Sequence, residues 1–386
     1  GKPLADAIVE TDRAIDGVRN AIEILRTSGG REIPMGITPA SDGRWAFTIR
    51  EPIGVVAAVS AFNHPLNLIV HQVVPAIAVG CPVIVKPAAL TPLSCIDLVT
   101  LVHEAGLPEE WCQTFLTESN DLAQKLVTDP RVAFFSFIGS SRVGWHLRSL
   151  LAPGTRCALE HGGAAPAIID KSADLDRVIE PLVKGGYYHA GQVCVSVQRI
   201  YVHADIKRTF LDRFAARVNT LSVGPPQLPE TELGPLILPR EADRVKAWIA
   251  EAAAGGGETI GGGRLSETTL LPAIIVHPPA GSRVATQEVF GPVTCVSTFT
   301  RLEDAIATAN ALPVAFQSSI FTEDLHAALH AAERLDASTV CINDHTAFRT
   351  DWMPFAGRRQ SGYGTGGIPA TMHEMTQEKM IVFRKS

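Results

Sequence analysis

The residues best able to do chemistry lie in a few short segments. Cys194 sits in Gly191-Gln192-Val193-Cys194-Val195-Ser196, after an apolar helical stripe and before a β-branched run. A free thiol has a pKa of roughly 8.5, so only a few per cent is thiolate at neutral pH, yet it is the most nucleophilic ordinary side chain. One Cys among seven is by default core filler; the turn after Gly191 sets this one apart. Glu160, in Leu159-Glu160-His161-Gly162-Gly163, ends an apolar strand beside two glycines. Partial desolvation there suits a general base, whereas an isolated Glu of this kind is more often a solvated loop residue. Asn63, in Phe62-Asn63-His64-Pro65, falls just past a strand, where open α/β sheets build sites. Its amide can donate to a developing oxyanion, worth about 2.7–4 kcal/mol in other enzymes, although Asn near Pro also serves plain turns.

Phe137 to Gly144 reads as a strand-to-helix junction, with Gly139, Ser140 and Val143 at the turn. Backbone N–H groups at a helix start can hold a pyrophosphate. The segment is neither G-x-G-x-x-G nor a P-loop, because Trp145 and His146 stand where Lys and Ser or Thr belong. His326 and His330 share a helix face but lack the following Glu and a third ligand, so no metal site is expected.

The elements that must position these groups follow from periodicity. Strands are expected at Ile53–Ala61, Pro82–Lys86, Ala133–Ile138, Arg156–Leu159, Ala167–Ile169 and Arg199–His203, alternating with helical stretches such as 66–79 and 91–105. That alternation is the mark of parallel sheets with crossover helices. Leu175, Val178, Ile179, Leu182 and Val183 form an apolar helical stripe, with Ser172 or Asp174 as N-cap. Pro181 inside it predicts a kink or a late start. The glycine-rich stretch 254–263 reads as a loop. The pattern restarts after Glu160, so two α/β layers meet near residues 160–165.

With 386 residues, 46% of them apolar and 19% charged, the chain has room for two or three ordinary globular domains. A net charge of −6 without a Lys/Arg run argues against a nucleic-acid or anionic-membrane surface. The longest apolar region, 68–85, is broken by His71, Gln72, Pro75, Gly80 and Pro82, which argues against a membrane span. Seven scattered cysteines without a C-x-x-C pair fit reduced thiols in the cytoplasm.

Taken in order, these segments resemble the aldehyde dehydrogenase superfamily over nearly the whole chain. Phe62-Asn63-His64-Pro65-Leu66 is similar to its oxyanion segment, Val85-Lys86-Pro87-Ala88 to its cofactor-ribose segment, and Phe137–Gly144 to its pyrophosphate helix. Leu159–Gly163 resembles the general-base motif, with His161 where Leu is usual, and Gly191–Cys194 the nucleophile motif. Glu288-Val289-Phe290-Gly291-Pro292 resembles the segment holding the nicotinamide end. Met353-Pro354-Phe355-Ala356-Gly357 with Ser361-Gly362 resembles the C-terminal signature, with Ala356 for a usual Gly.

The resemblance implies two doubly wound α/β domains plus an oligomerisation β-hairpin. A cofactor-binding domain would take 1–32 and 52–161, a catalytic domain 162–368, and an oligomerisation segment 33–51 and 369–386. Family members carry more sequence before the position of Gly1, which implies a further N-terminal part of the cofactor domain. The implied activity is oxidation of an aldehyde to an acid with NAD or NADP, in a homodimer or homotetramer. Cys194 would attack the carbonyl, with the alkoxide held by the Asn63 amide and the Cys194 N–H. Hydride would leave to the nicotinamide, and water activated by Glu160 would hydrolyse the thioester. Lys86, Gly139, Ser140, Val143, Glu288 and Phe290 would hold the cofactor.

Many NAD-preferring members carry Glu where this chain has Ala89, and a carboxylate there would repel a 2′-phosphate; its absence leaves NADP open. The segment around Cys194 looks most like the lactaldehyde and semialdehyde branches. Arg349 admits two readings, a partner for a substrate carboxylate or a structural salt bridge. The rival activities are a CoA-acylating relative, against which Glu160 argues, a Cys–His hydrolase, and a catalytically silent relative.

Overall fold

The computed structural model describes residues 1–117 and 119–385. Glu118 and Ser386, which fall in the expected cofactor and oligomerisation segments, lie outside them. The chain divides into two compact units. A central unit comprises Gly1–Val9, Glu160–Arg349 and Ala356–Tyr363, and an amino-terminal unit comprises Glu10–Leu159, Thr350–Phe355 and Gly364–Ser386. Gly1–Val9 groups with the central unit because Leu4 N donates to Pro226 O at 2.8 Å and His189 N to Asp6 Oδ2 at 3.2 Å.

In the amino-terminal unit the strands lie in the order Arg156–Glu160, Val132–Ile138, Val55–Val59, Val83–Lys86, Cys112–Thr114. Val55–Val59 pairs in parallel with both neighbours. Side chains alternate across a strand, so Val56 and Ala58 pack with the helices Asn67–Ala78 and Leu93–Glu104. Ala57, Phe135 and Phe137 pack with Asn120–Val127 and Ser141–Ser149 on the other face. Each large side chain removed from water here stabilises the unit by about 1.5–3 kcal/mol. Two cores on one parallel sheet make the unit doubly wound. The chain leaves Val55–Val59 first toward one edge and later toward the other, which creates a switch point between its end and that of Val132–Ile138.

The helix Asn67–Ala78 has no local side-chain cap. Its first amides are met instead by the Glu10 carboxylate, which accepts from Leu66 N at 2.8 Å and Asn67 N at 2.9 Å. Negative charge suits a helix N-terminus. Nearby, the buried Asp351 carboxylate accepts from Arg13 Nη2 at 2.8 Å and Asn67 Nδ2 at 3.0 Å, and pairs with His71 Nε2 at 2.7 Å. These donors outweigh burial and hold its pKa well below the usual carboxylate range. A separate antiparallel sheet sets Arg44–Pro52 between Glu32–Ile33 and Thr376–Arg384, with Trp45 stacked on Phe383 at 5.6 Å.

The central unit carries a seven-stranded sheet, ordered Glu258–Gly261, Ala273–Val276, Val293–Phe299, Val197–His203, Ala165–Ile169, Gln317–Phe321, Thr339–Ile342. All pairings are parallel except the first. Ala167 and Ile169 face one core with Phe210, Phe214 and Val245, while Ile168 faces a second with Ala305, Ile306 and Ala331. The mixed α/β architecture with parallel sheets is therefore the expected one. Two local expectations are corrected. The stretch 254–263 is not all loop, because 258–261 pairs with 273–276 and long-range pairing overrides its glycine content. The helix Leu175–Tyr187 does not start late, because Asp174 caps it by accepting from Asp176 N at 3.0 Å, and Pro181 lies in its interior. No helix among the described residues is long and apolar enough to cross a membrane.

Candidate active site

In the central unit the nucleophile segment is held by its own backbone and by long-range bonds. His189, Ala190 and Gly191 take φ of 53°, 54° and 68° in succession. Such left-handed geometry at non-glycine residues costs about 1–3 kcal/mol each and persists only when neighbours enforce it. Gly191 has no alternative, because a Cβ there would collide with Gly291 O. Gln192 Oε1 accepts from Ile237 N at 3.0 Å, and its Nε2 donates to His189 O at 3.3 Å. Ser196 Oγ donates to Gly185 O and Gly186 O, both at 3.2 Å. Thr346 Oγ1 donates to Val195 O at 2.6 Å. The loop leaves Cys194 half-buried while the other six cysteines are buried.

Glu160 ends the strand Arg156–Glu160, and the loop after it is cradled by a turn near residue 361. His161 N donates to Ser361 O at 2.9 Å, and Ser361 Oγ donates to Gly162 O at 3.0 Å. Gly357 makes that turn possible, since a Cβ there would strike Ser361 O. Gly162 lies against the Glu288 carboxylate, which a Cβ there would displace. Glu288 is carried on a loop fixed by Val289 N donating to Gln198 Oε1 at 2.9 Å and by Arg244 Nη2 donating to Val289 O at 2.8 Å. Phe290 adds a left-handed φ of 47°.

These groups act on one another electrostatically. Burial pushes the Cys194 thiol up to about 12; Arg349 opposes it, while Glu160 and Glu288 reinforce it. Burial raises Glu160 too, again opposed by Arg349. Burial lifts Glu288 to about 8 against the pull of Arg244 and the Gly163 N–H. Desolvation disfavours each anion because the interior cannot replace its water. The central unit thus brings together Cys194, Glu160, Glu288 and Arg349. Sequence reasoning missed Gln198, Arg244 and Thr346, whose only signal is a long-range hydrogen bond.

The remaining expected residues belong to the amino-terminal unit. Lys86 ends its strand, half-buried, with Nζ donating to Pro87 O at 3.2 Å, and burial lowers its pKa. Asn63 is buried beyond Val55–Val59. Ser140 begins the helix Ser141–Ser149 and makes no side-chain cap bond. Gly139 lies so close to the Phe137 ring that a Cβ would stand 2.9 Å from it. Lys86, Asn63 and the Gly139–Val143 turn follow the carboxyl ends of three parallel strands at the switch point, where dinucleotides bind in such sheets. A basic side chain at one strand end and a helix start at another make a donor set that fits a ribose and a pyrophosphate.

The sequence pattern of the aldehyde dehydrogenase family matches residues 1–381. The chain belongs to that family. The 3-sulfolactaldehyde dehydrogenase of Priestia aryabhattai is 35% identical over 382 residues, covering 99% of this chain and 80% of the relative. The lactaldehyde dehydrogenase of Methanocaldococcus jannaschii is 35% identical, covering 100% of this chain and 82% of that one. Aldehyde dehydrogenase 21 of Physcomitrella patens, solved with the reaction product succinate, superposes with a TM-score of 0.97 at 36% identity, covering 100% of this chain and 80% of that one. Glyceraldehyde-3-phosphate dehydrogenase of M. jannaschii, solved with NADP, gives 0.95 at 35% identity, covering 100% and 83%. Against these aldehyde dehydrogenases the chain spans about four-fifths of the relatives' length.

Proposed function

We propose that the chain oxidises an aldehyde to a carboxylic acid, with NAD or NADP as the acceptor, through a covalent adduct on Cys194. The observation that carries this is the grouping of a half-buried thiol, a raised carboxyl and a guanidinium in one unit of a family member. Cys194 rests as a thiol, so its attack on the carbonyl carbon needs a base to take the proton. Glu160 is the base, and its raised pKa makes it a stronger one than an exposed carboxylate. The Cys194 N–H donates to the alkoxide; the same role for the Asn63 amide rests on the resemblance of its segment. The nicotinamide, when bound, supplies the hydride acceptor that converts the adduct to a thioester. After Glu160 has released that first proton to solvent, it takes a proton from water, which attacks the thioester carbon; the acid leaves and the departing Cys194 thiolate takes the proton back from Glu160. Retention of a carboxylate base supports water, not a second thiol, as the resolving nucleophile.

Lys86, Gly139, Ser140 and Val143 are assigned to the adenosine end of the dinucleotide, and Glu288 and Phe290 to its nicotinamide end. Ala89 leaves room for a 2′-phosphate, so both cofactors are accepted in this reading. We further infer a homodimer or homotetramer built on the strands Arg44–Pro52 and Thr376–Arg384, which expose Trp45, Ile49, Met380, Val382 and Phe383. Seven free cysteines support a cytoplasmic setting.

The test is reduced-nicotinamide absorbance with a panel of aldehydes, both cofactors, and the variants Cys194→Ala and Glu160→Gln. Cofactor reduction should vanish in Cys194→Ala, and Glu160→Gln should keep an initial burst while losing steady turnover. Undiminished turnover in either variant removes that residue from the mechanism.

A further inference from the structure

A narrow cavity in the central unit is bounded by Arg199, Val314, Ala315, Ser318 and Asp336. Arg199 pairs in register with Pro166, and Ala167 with Ser319. Alternation along the strands therefore turns Arg199 and Ser318 to one face of the sheet, that of Ile168, Tyr201 and Ile320. Arg199 is only 6% exposed, and no carboxylate among the described residues pairs with it. Its guanidinium is met by neutral groups alone. Nε donates to Ala164 O at 2.8 Å, Nη1 to Tyr201 Oη at 3.0 Å and Thr308 O at 3.3 Å, and Nη2 to Ala309 O at 2.9 Å. A guanidinium carries five N–H groups, so one on Nη2 is left over. The Ser318 hydroxyl, 2% exposed, has no hydrogen-bond partner. Burial of a charge without a counter-ion is costly, which lowers the Arg199 pKa although the group stays charged.

The charges around the cavity point the same way. Asp336 is the one carboxylate among the described residues of the wall, and it is already paired with Arg358 at 3.1 Å and with Arg359. Those two arginines form the strand that pairs with Val314–Ala315. Three guanidiniums thus stand against one carboxylate. The same wall is tied to the loop after Glu160, because Ser361 Oγ accepts from Ala315 N at 3.0 Å and donates to Gly162 O at 3.0 Å.

We propose that this cavity binds a monatomic, monovalent anion of chloride size, held by Arg199 and Ser318, as a structural ligand of the central unit. Two leftover donors beside a buried cation recognise an anion, and charge-assisted bonds replace the water that the ion sheds. The space admits little more than one water-sized particle, which excludes a carboxylate or a phosphate. A water molecule would fill it but leave the charge of Arg199 uncompensated.

The experiment uses the whole chain with bromide and chloride. Bromide shares the charge and nearly the size of chloride and scatters X-rays anomalously. Crystals grown in sodium bromide should show an anomalous peak between Arg199 Nη2 and Ser318 Oγ. In solution, melting temperature should rise along a saturating curve as chloride replaces gluconate at constant ionic strength. At tenfold over the dissociation constant the gain is about 3–6 °C by linkage. Hydrogen exchange in 314–318 and 358–361 should slow over the same range. Ser318→Ala removes one donor that has no partner, so it should melt near wild type in gluconate and lose most of the chloride gain. A peak without anomalous signal marks an ordered water and overturns the proposal. So does a melting temperature that is equal in both salts or climbs without saturation, and so does a chloride gain that Ser318→Ala keeps in full. The bromide and melting measurements need only the wild type, so they decide the matter even if Ser318→Ala fails to fold.

Discussion

The resting state of Cys194 has a sharp chemical consequence. At pH 8 a thiol titrating near 12 is ionised to about 1 part in 10,000, against about a quarter for an ordinary cysteine. Thiolate supply alone then slows alkylation more than a thousandfold. A more basic thiolate is intrinsically more nucleophilic, with a Brønsted slope of about 0.4–0.5, which returns roughly thirtyfold over this interval. Iodoacetamide should therefore alkylate Cys194 about 50- to 100-fold more slowly than a free cysteine at pH 8. The rate should climb tenfold per pH unit without a plateau up to pH 10, as expected well below a pKa. Peptide mapping by mass spectrometry after timed quenching isolates Cys194 from the six buried cysteines. Removing the charge of Glu160 in Glu160→Gln should quicken the reaction, and Arg349→Gln should slow it, following their opposite influences on the thiol. A plateau below pH 9, or a rate equal to that of free cysteine, would refute the argument that burial governs this nucleophile.

Glu288 links the site to stability. Its pKa is raised in the folded state from 4.5 to about 8, so the folded form holds the proton more tightly. Its contribution is fully present below pH 4.5 and is lost as pH rises through 8, a change on the order of 3 kcal/mol at neutrality by linkage. Calorimetry from pH 5 to 9 should show wild-type stability falling while Glu288→Gln stays flatter; parallel curves would contradict this. Asp351 runs the opposite way, its depressed carboxyl contributing above the ordinary carboxylate pKa and losing that contribution as pH falls. Asp351→Asn strips Arg13 and His71 of their buried counter-charge and should cost about 3–5 kcal/mol in urea unfolding of the amino-terminal unit, with loss under 1 kcal/mol counting against it. Gly191→Ala combines a left-handed φ with a collision on Gly291 O. It should yield little soluble protein or a displaced Cys194, and a wild-type melting temperature with normal alkylation would disprove the close approach.

How far the sequence could be read depended on distance along the chain. Strands such as Val83–Lys86 and Val132–Ile138 were visible because their apolar runs are local and bounded by turn residues. The same holds for the Cys194 and Glu160 segments, whose glycines announce close approaches: Gly191 to the backbone of Gly291 and Gly162 to the Glu288 side chain. What stayed hidden was non-local. Glu10 caps a helix that begins 57 residues later, and nothing near Asn67 signals it. Gln198 holds Val289 N across 91 residues. The strand Glu258–Gly261 exists because Ala273–Val276 offers a partner, and its own composition argues the other way. Arg349 was conspicuous as a charge, but its turn acquires a purpose only once Thr346 is seen on Val195.

The Asp351 cluster also bears on the order in which the chain can be completed during synthesis. Arg13 and Asp351 stand 338 residues apart in sequence, and Arg44–Pro52 finds its partner strand only at Thr376–Arg384. Glu10–Leu159 is thus made before Glu160–Arg349, and its partners Thr350–Phe355 and Thr376–Arg384 after it. Glu160–Arg349 emerges in one stretch and brings all seven strands of its sheet with it. While Glu160–Arg349 is being made, residues 10–159 wait with an unsatisfied Arg13, an uncovered face on Asn67–Ala78 and an open edge at Arg44–Pro52. That interval is when the nascent protein is most exposed to aggregation, and loss of the strand Thr376–Arg384 alone would leave Arg44–Pro52 with a permanently open edge.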